Sequence, residues 1–186
     1  MDRIVLGVSG ASGTRLAVRT ADAIAEHVEV HTVVTDGAKT VMETETDDRE
    51  ETMAHLESVS TAVYDEDEYG AAIASGTFRT AGMVIVPCSM NTLAKLAAGF
   101  SDTLLTRAAD VTIKEDRTLV VVPRESPLSE IHLDNMHAVA SRGGTVVPPM
   151  LGFYYEPETV DDVVDHVVGK VLDRFGLTYD DFDRWS

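Results

Sequence analysis

The sequence predicts an α/β fold, a three-layer sandwich in which a parallel β-sheet is covered by helices on both faces. Short apolar runs rich in β-branched residues alternate along the chain with segments whose apolar residues recur at helical spacing. Strand–helix–strand connections are right-handed crossovers, so the strands that they join lie parallel in one sheet. Ligands of such sheets bind beyond the carboxyl ends of the strands, and a site is therefore expected at that edge.

The first strand, the turn that follows it and the start of the next helix form the most clearly predicted strand–turn–helix unit of the chain. Residues 3–8 form an apolar run that predicts a buried strand, and helical spacing begins at Thr14. Between them stand only small residues. A turn of this kind at a helix N-terminus can bind an anion through backbone N–H groups, and the hydroxyls of Ser9 and Ser12 could bind a phosphate. A tight structural turn is the alternative interpretation.

The glycine spacing of this turn favours a mononucleotide or a simple phosphate as the ligand. Gly7, Gly10 and Gly13 give the pattern G-x-x-G-x-x-G, whereas dinucleotide folds use G-x-G-x-x-G. The second strand ends at Thr35, where a dinucleotide fold carries a carboxylate that binds the ribose.

The remaining elements follow in order along the chain. Strands are predicted at residues 28–34, 61–64, 82–87, 118–122 and 145–147. Helices are predicted from residue 38 and over residues 50–58, 93–98, 103–113, 130–141 and 159–175, while the polar residues 43–48 predict a loop. Four strand ends carry small or polar side chains that we expect to converge on one crevice: Ser9–Gly13, Thr35, Cys88–Thr92 and Arg124–Glu125.

Length and composition predict a single domain over residues 1–186, long enough for a full core. No apolar run reaches the roughly 18 residues that a membrane span needs. The chain enters its first strand almost at once, so no signal peptide is expected. Cys88 is the only cysteine, which excludes an internal disulfide and favours the cytoplasm.

The chain is strongly acidic, with a formal net charge of −17 from 32 acidic and 15 basic residues. Such a charge repels the phosphate backbone, which argues against nucleic acid as a partner. We interpret the acidic clusters as a solvated surface and hypothesise a halophilic host, since the Debye length of about 3 Å at 1 M salt screens this self-repulsion.

Several side chains near the predicted crevice could bind or transform a ligand. The candidate hydrogen-bond donors to a phosphate are Ser12, Thr35, Ser89, Thr92 and Arg124. Glu125 follows a buried strand directly, and it could transfer a proton or hydrogen-bond a ring nitrogen.

Other candidates also have a plainer interpretation. Arg107 and Lys114 lie two turns apart on one helix face. They could bind a ligand together, but the same spacing is typical of a solvent-exposed helix face. Glu45, Tyr154 and Lys170 cannot be told from ordinary surface residues by pattern alone. Cys88 lacks a basic neighbour and is interpreted as a packing residue. No cysteine pair and no helix with two histidines four residues apart is present, so no metal site is expected.

The order of motifs along the whole chain resembles the UbiX family of flavin prenyltransferases. The Pro-Arg-Glu-x-Pro and Cys-Ser-x-x-Thr segments are the most specific of them. The resemblance is carried by Gly7–Gly13, Glu45–Asp47, Ala74–Gly76, Pro87–Leu93, Arg107–Val111, Lys114–Glu115, Leu119–Leu128, Ile131–Leu133, Asn135–Met136 and Gly152–Tyr154.

The resemblance implies a Rossmann- or flavodoxin-like sheet and a metal-independent reaction. A dimethylallyl group from dimethylallyl phosphate is joined to N5 and then C6 of reduced FMN, and prenylated FMN is passed to UbiD-type decarboxylases. It also implies a homo-oligomer, commonly a dodecamer, with sites at subunit interfaces. Whether the donor is the monophosphate or the diphosphate is left open.

The resemblance also implies roles for individual residues. FMN would be held by Gly10, Ala11, Ser12, Thr35, Ser89, Met90, Asn91, Thr92 and Arg124. The donor phosphate would be held by Arg107, Lys114, Tyr154 and Lys170. The positions implicated in chemistry are Ser12, Glu45, Glu125 and Tyr154. Thr35 replaces the usual serine, Lys170 an arginine of some members and Tyr69 a tryptophan, while Trp185 matches a C-terminal tryptophan that helps close the site.

Two alternative functions are weighed against this one. A flavin-dependent cysteine decarboxylase of related fold relies on an active-site histidine and a Pro-x-Met-Asn-type segment. This chain has Pro87–Asn91 at that place, and no histidine near the site face of the first helix. A non-catalytic FMN carrier or decarboxylase accessory subunit would not need Glu125, Lys114 or Tyr154.

Overall fold

The computed structural model describes residues 3–182, which form six parallel strands and seven α-helices. The strands are β1 (Arg3–Val8), β2 (Glu29–Val34), β3 (Ala62–Asp65), β4 (Gly82–Cys88), β5 (Thr118–Pro123) and β6 (Thr145–Val146). They lie in the order β3-β2-β1-β4-β5-β6 in one sheet. The strand order reverses between β1 and β4, which is where an open α/β sheet binds its ligand.

The helices cover both faces of this sheet. They are α1 (Thr14–Ala25), α2 (Asp36–Glu45), α3 (Arg49–Val59), α4 (Met90–Ala98), α5 (Leu104–Lys114), α6 (Glu130–Ser141) and α7 (Val160–Leu172). One apolar core joins Ile4 and Leu6 of β1 to α1, α2, α3 and α7, and the other joins Val5 of the same strand to α4, α5 and α6. Alternate residues of one strand thus serve opposite layers, and the predicted three-layer sandwich is confirmed.

The structure corrects three predicted boundaries. The predicted loop at residues 43–48 is wrong in its first half, because α2 continues to Glu45 around the fully buried Met42. Residues 43–45 are each exposed, which permits polar side chains although the segment is helical. Helix α4 begins at Met90, directly after the capping residue Ser89, and α7 ends at Leu172, followed by one 3₁₀ turn.

None of the helices within residues 3–182 combines the length and the apolar character that crossing a membrane requires.

Candidate active site

A crevice of about 390 Å³ opens at the carboxyl edge of the sheet, where the strand order reverses. Its volume lies within the range of small-molecule and cofactor sites, about 300–1,000 Å³. The structure brings together in its wall seven of the residues singled out from the sequence: Gly10, Thr35, Ser89, Met90, Asn91, Thr92 and Glu125. Four separate strand-end segments were expected to meet, and parts of all four line this crevice.

The backbone around Gly10 leaves no room for a side chain. A Cβ atom built on Gly10 would lie 2.9 Å from the Cα atom of Gly37, in the first turn of α2. The loop after β1 and the start of α2 therefore touch at the crevice wall. Only glycine permits an approach this close, which gives the glycine at position 10 a structural reason.

Hydroxyl groups in the crevice also cap the helices that border it. Thr35 Oγ1 accepts a hydrogen bond from the Ala38 amide at 3.1 Å, and Ser89 Oγ accepts one from the Thr92 amide at 3.2 Å. Ser89 Oγ also donates to Thr92 Oγ1 at 3.0 Å. A hydroxyl that accepts a capping bond keeps its own hydrogen, so Thr35 can donate to a ligand without losing its cap.

Ser9, the other serine considered for phosphate binding, has a structural role instead. Its side chain is buried, donates to the Pro87 carbonyl at 3.0 Å and accepts from the Ser89 amide at 2.8 Å. Both bonds join the loop after β1 to the end of β4 and the residue that follows it. The prediction that Ser9 could bind phosphate is therefore wrong.

Ser12 and Glu45 lie together at the start of α1, and neither is among the residues that line the crevice. The Glu45 carboxylate accepts hydrogen bonds from the Gly13 amide at 2.9 and 3.1 Å, from the Thr14 amide at 2.8 Å and from the Ser12 hydroxyl. Partial burial alone would raise the pKa of Glu45, but these hydrogen bonds outweigh it and hold that pKa below its ordinary value. The start of α1, which could have bound an anionic ligand, already binds the chain's own carboxylate.

Arg124 and Glu125 stand at the end of β5, between the crevice and a second cavity of about 360 Å³. Glu125 lines both spaces, whereas Arg124 lines only the second cavity, together with apolar residues such as Pro148 and Met150. The Arg124 amide donates to the Cys88 carbonyl at 3.1 Å, and in the described part of the chain no carboxylate pairs with its guanidinium. That cation therefore remains available to an anion.

The other cations considered for the donor phosphate lie away from the crevice within one chain. Arg107 binds Asp110 at 2.7 Å and the Ala74 carbonyl at 3.2 Å. Lys114 forms an ion pair with Glu115 at the far end of α5, close to where β5 begins. Its position is thus at the amino edge of the sheet, opposite the crevice.

Lys170 and Tyr154 belong to the layer formed by α7. The ion pairs Arg15–Asp161 and Arg19–Asp165 align the starts of α1 and α7, which places Lys170 farther down α7, about 14 Å beyond Asp161 at 1.5 Å per residue. The Lys170 ammonium lies over the Phe182 ring, 5.2 Å from its centroid.

Tyr154 is half exposed and lies against α7 rather than in the crevice wall. Its hydroxyl is 3.3 Å from His166 Nε2. Tyr69 is also half exposed, and its hydroxyl donates to the Asp102 carbonyl just before α5. The predicted role of Trp185 falls outside the described residues. Ala11, in the turn after β1, donates its amide to the Ser9 carbonyl at 2.8 Å.

Cys88 is fully buried, and burial raises the pKa of its thiol to about 12. A thiol with so high a pKa is a poor nucleophile, and the prediction that Cys88 is a packing residue is confirmed. Among residues 3–182, no group of three or more histidine, cysteine, aspartate or glutamate side chains is arranged to hold a metal ion.

Comparison with known proteins decides the family. Residues 1–172 match the family described as Flavoprotein. The chain is 48% identical over 186 residues to a probable UbiX-like flavin prenyltransferase of Escherichia coli, covering 99% of this chain and 93% of that protein. The chain belongs to the UbiX-like flavin prenyltransferase family.

Solved structures of UbiX-like proteins agree with this assignment. A dodecameric FMN-dependent UbiX-like decarboxylase from Escherichia coli O157:H7 superposes with a TM-score of 0.94 at 46% identity, with 99% of each chain covered. AnUbiX, solved in complex with FMN and dimethylallyl pyrophosphate, superposes with a TM-score of 0.95 at 40% identity, covering 100% of this chain and 97% of that one. The cysteine decarboxylase EpiD, at 16% identity and a TM-score of 0.64, shares the fold alone.

Six further residues line the crevice without having been singled out from the sequence: Gly37, Glu66, Lys95, Thr103, Leu105 and Thr106. Glu66 follows β3, while Thr103, Leu105 and Thr106 belong to the start of α5. These four residues reach the crevice only because the sheet and the helix layers pack together, which the sequence pattern does not show. Lys95 could have been found, because it stands three residues after Thr92 and such residues share a helix face.

Proposed function

We propose that this chain is a flavin prenyltransferase that transfers a dimethylallyl group from dimethylallyl phosphate to N5 and C6 of reduced FMN. The prenylated FMN would then serve a UbiD-type decarboxylase. The observation that carries the proposal is the crevice at the strand-order reversal. Six of the nine residues expected to hold FMN line it from three strand ends, and Glu125 joins them from a fourth. The family relative solved with FMN and dimethylallyl pyrophosphate supports the same ligand pair.

The crevice suits FMN in size and in its hydrogen-bonding groups. The hydroxyls of Thr35 and Thr92 can donate to phosphate or ribityl oxygens, while the Ser89 hydroxyl donates to Thr92. We propose that Gly10, Ala11, Ser12, Thr35, Ser89, Met90, Asn91, Thr92 and Arg124 hold FMN, and that residues 1–186 act as one FMN-binding domain.

Reduced FMN, when bound, supplies the nucleophilic atoms N5 and C6. The chain's own residues supply positioning and charge. Arg124 can stabilise the negative charge that develops on the leaving phosphate, since a cation aimed at a developing charge in a partly desolvated site lowers the barrier.

Glu45 stays ionised near neutral pH and orients the hydroxyl of Ser12 toward itself. Glu125 borders both the crevice and the second cavity, so it can take the C6 proton; the departing phosphate is the alternative base.

A homo-oligomer would complete the donor site. Within one chain Arg107, Lys114 and Lys170 lie outside the crevice, so the phosphate-binding role proposed for them, and for Tyr154, requires a neighbouring subunit. Large apolar side chains are exposed around α6 and the loop after β6, namely Leu128, Ile131, Leu133, Met150, Leu151 and Phe153. Exposed apolar surface of this extent marks an interface, and we propose a dodecamer like that of the Escherichia coli O157:H7 relative.

The proposal places the enzyme in the cytoplasm, with its lone cysteine reduced. No metal takes part in the proposed reaction.

The test is mass spectrometry of the flavin released after anaerobic incubation with reduced FMN and dimethylallyl phosphate in high salt. We expect a flavin heavier by one five-carbon unit. Glu125→Gln should lower the yield, whereas the matched variant Glu130→Gln, at an exposed position of α6, should not. Unmodified FMN with both the monophosphate and the diphosphate donor would contradict the proposal and leave an FMN carrier as the function.

A further inference from the structure

The charges in the crevice are unfavourable for a phosphorylated ligand. Two of its lining residues, Glu66 and Glu125, carry carboxylates, and the whole chain has a formal net charge of −17. A phosphate monoester carries about −1.5 to −2 charges near pH 7. Among the described residues that line the crevice, Lys95 is the only one with a positive charge.

Lys95 lies where its ammonium can reach a ligand. It is on α4, three residues after Thr92, so the two side chains share the helix face that borders the crevice. Long side chains of a helix lean toward its N-terminus, and the N-terminus of α4 is at the carboxyl edge of the sheet. The side chain is only 25% exposed, and in such a partly desolvated place a charge interaction is stronger than in water.

Asp102 positions this ammonium. Lys95 Nζ donates to Asp102 Oδ2 at 2.9 Å, and Asp102 directly precedes Thr103, the capping residue of α5. Thr103 and its partner Thr106 both line the crevice. An ammonium has three N–H donors, so one bond to Asp102 leaves two donors for a ligand.

The negative charge of Glu66 is already stabilised by a backbone hydrogen bond. Its carboxylate accepts from the Asp36 amide at 2.8 Å, at the start of α2, where the helix dipole is positive. Among the described residues, Asp102 is the carboxylate that pairs with Lys95.

We propose that Lys95 binds the phosphate group of FMN, with Asp102 as a positioning residue that holds the ammonium at the crevice wall. The inference rests on the proposed function, because it takes FMN as the ligand of the crevice. It adds a phosphate-binding cation on α4 to the residues that resemblance to the family implied.

The experiment compares binding of FMN with binding of riboflavin, which lacks the phosphate, by quenching of flavin fluorescence. Lys95→Met should weaken FMN binding about 10-fold or more, as expected for a lost charge-assisted hydrogen bond, and should leave riboflavin binding within about twofold. Lys95→Arg should retain most of the affinity for FMN. Asp102→Ala should weaken FMN binding less than Lys95→Met does, since the ammonium keeps its charge but loses the acceptor that holds it at the crevice wall.

Lys39→Met is the matched control. Lys39 pairs with Asp65 at 2.5 Å much as Lys95 pairs with Asp102, but it does not line the crevice, so its loss should leave both affinities unchanged. Circular dichroism of each variant verifies folding. Equal FMN affinity in wild type and Lys95→Met, or equal loss of FMN and riboflavin binding, overturns the inference alone. Wild-type protein that binds neither flavin overturns the proposed function together with it.

Discussion

The carboxylate of Glu45, the last residue of α2, accepts two hydrogen bonds, at 2.9 and 3.1 Å, from the amide of Gly13 just before α1. Because Glu45 also accepts from Thr14 and Ser12, it joins the end of one helix to the start of another. The same carboxylate is thus a structural cap for the start of α1.

Replacing Glu45 by Gln should lower the free energy of unfolding by about 1 kcal/mol, because a negative charge at a helix N-terminus is lost. Urea unfolding at constant salt measures the change. Glu57→Gln, at an exposed position of α3, is the matched control and should leave stability unchanged. Equal stability of Glu45→Gln and wild type would contradict the capping role.

Glu45 should also contribute to the loss of folding stability at acidic pH. Its pKa in the folded chain lies below its ordinary value of 4.5, so its contribution is complete above pH 4.5 and is lost as the pH falls through the folded pKa. Thermal unfolding between pH 6 and pH 3 should therefore show a shallower decline for Glu45→Gln than for wild type. Parallel profiles would show that Glu45 titrates alike in the folded and unfolded states.

Arg124→Met should reduce kcat/KM for prenyl transfer about 10- to 100-fold, because a charged hydrogen-bond donor to phosphate is removed. Arg124→Lys should recover only part of the loss, since an ammonium cannot bind phosphate with a bidentate fork. Initial rates over a range of donor concentrations give these values. Arg79→Met, at another exposed arginine, is the control; a similar loss there would indicate an unspecific effect of charge.

Salt should stabilise the chain, as the halophilic hypothesis requires. The net charge of −17 generates self-repulsion that is screened as the Debye length falls from about 10 Å at 0.1 M to about 3 Å at 1 M. The unfolding temperature should rise by several degrees over this range. The double variant Asp47→Asn, Asp67→Asn should show a smaller rise, and an unfolding temperature independent of salt would refute the hypothesis.

Ile131→Asp should break the proposed assembly into smaller species and lower prenyl transfer with it. Ile131 is 69% exposed on α6, and a charge there cannot be buried in an apolar interface without a large cost. Light scattering after gel filtration measures the mass. His137→Asp adds a charge to the same helix at another exposed position and controls for the effect of charge itself.

Much of this architecture was predictable because it depends on local pattern. β-Branched runs such as Val120–Val122 define buried strands, and Thr35 and Ser89 mark both strand ends and helix caps. Alternating strands and helices then place those ends at one edge of the sheet.

The remaining features depend on contacts between distant segments, which pattern cannot supply. The polar stretch at Glu45 resembles a loop, yet its carboxylate caps a helix that begins 31 residues earlier. Ser9 has the composition of a phosphate-binding turn, but the packing of β1 beside β4 engages its hydroxyl. Glu66 reaches the crevice because β3 is the neighbour of β2 in the sheet.

The two hydrogen bonds of Ser9 fasten the loop after β1 to the end of β4 and to Ser89, across the line where the two halves of the sheet meet. The floor of the crevice is thereby set before any flavin arrives. Preorganisation of this kind spares the ligand the entropic cost of ordering two loops, so affinity depends on the contacts that the flavin makes rather than on closing a gap between the halves.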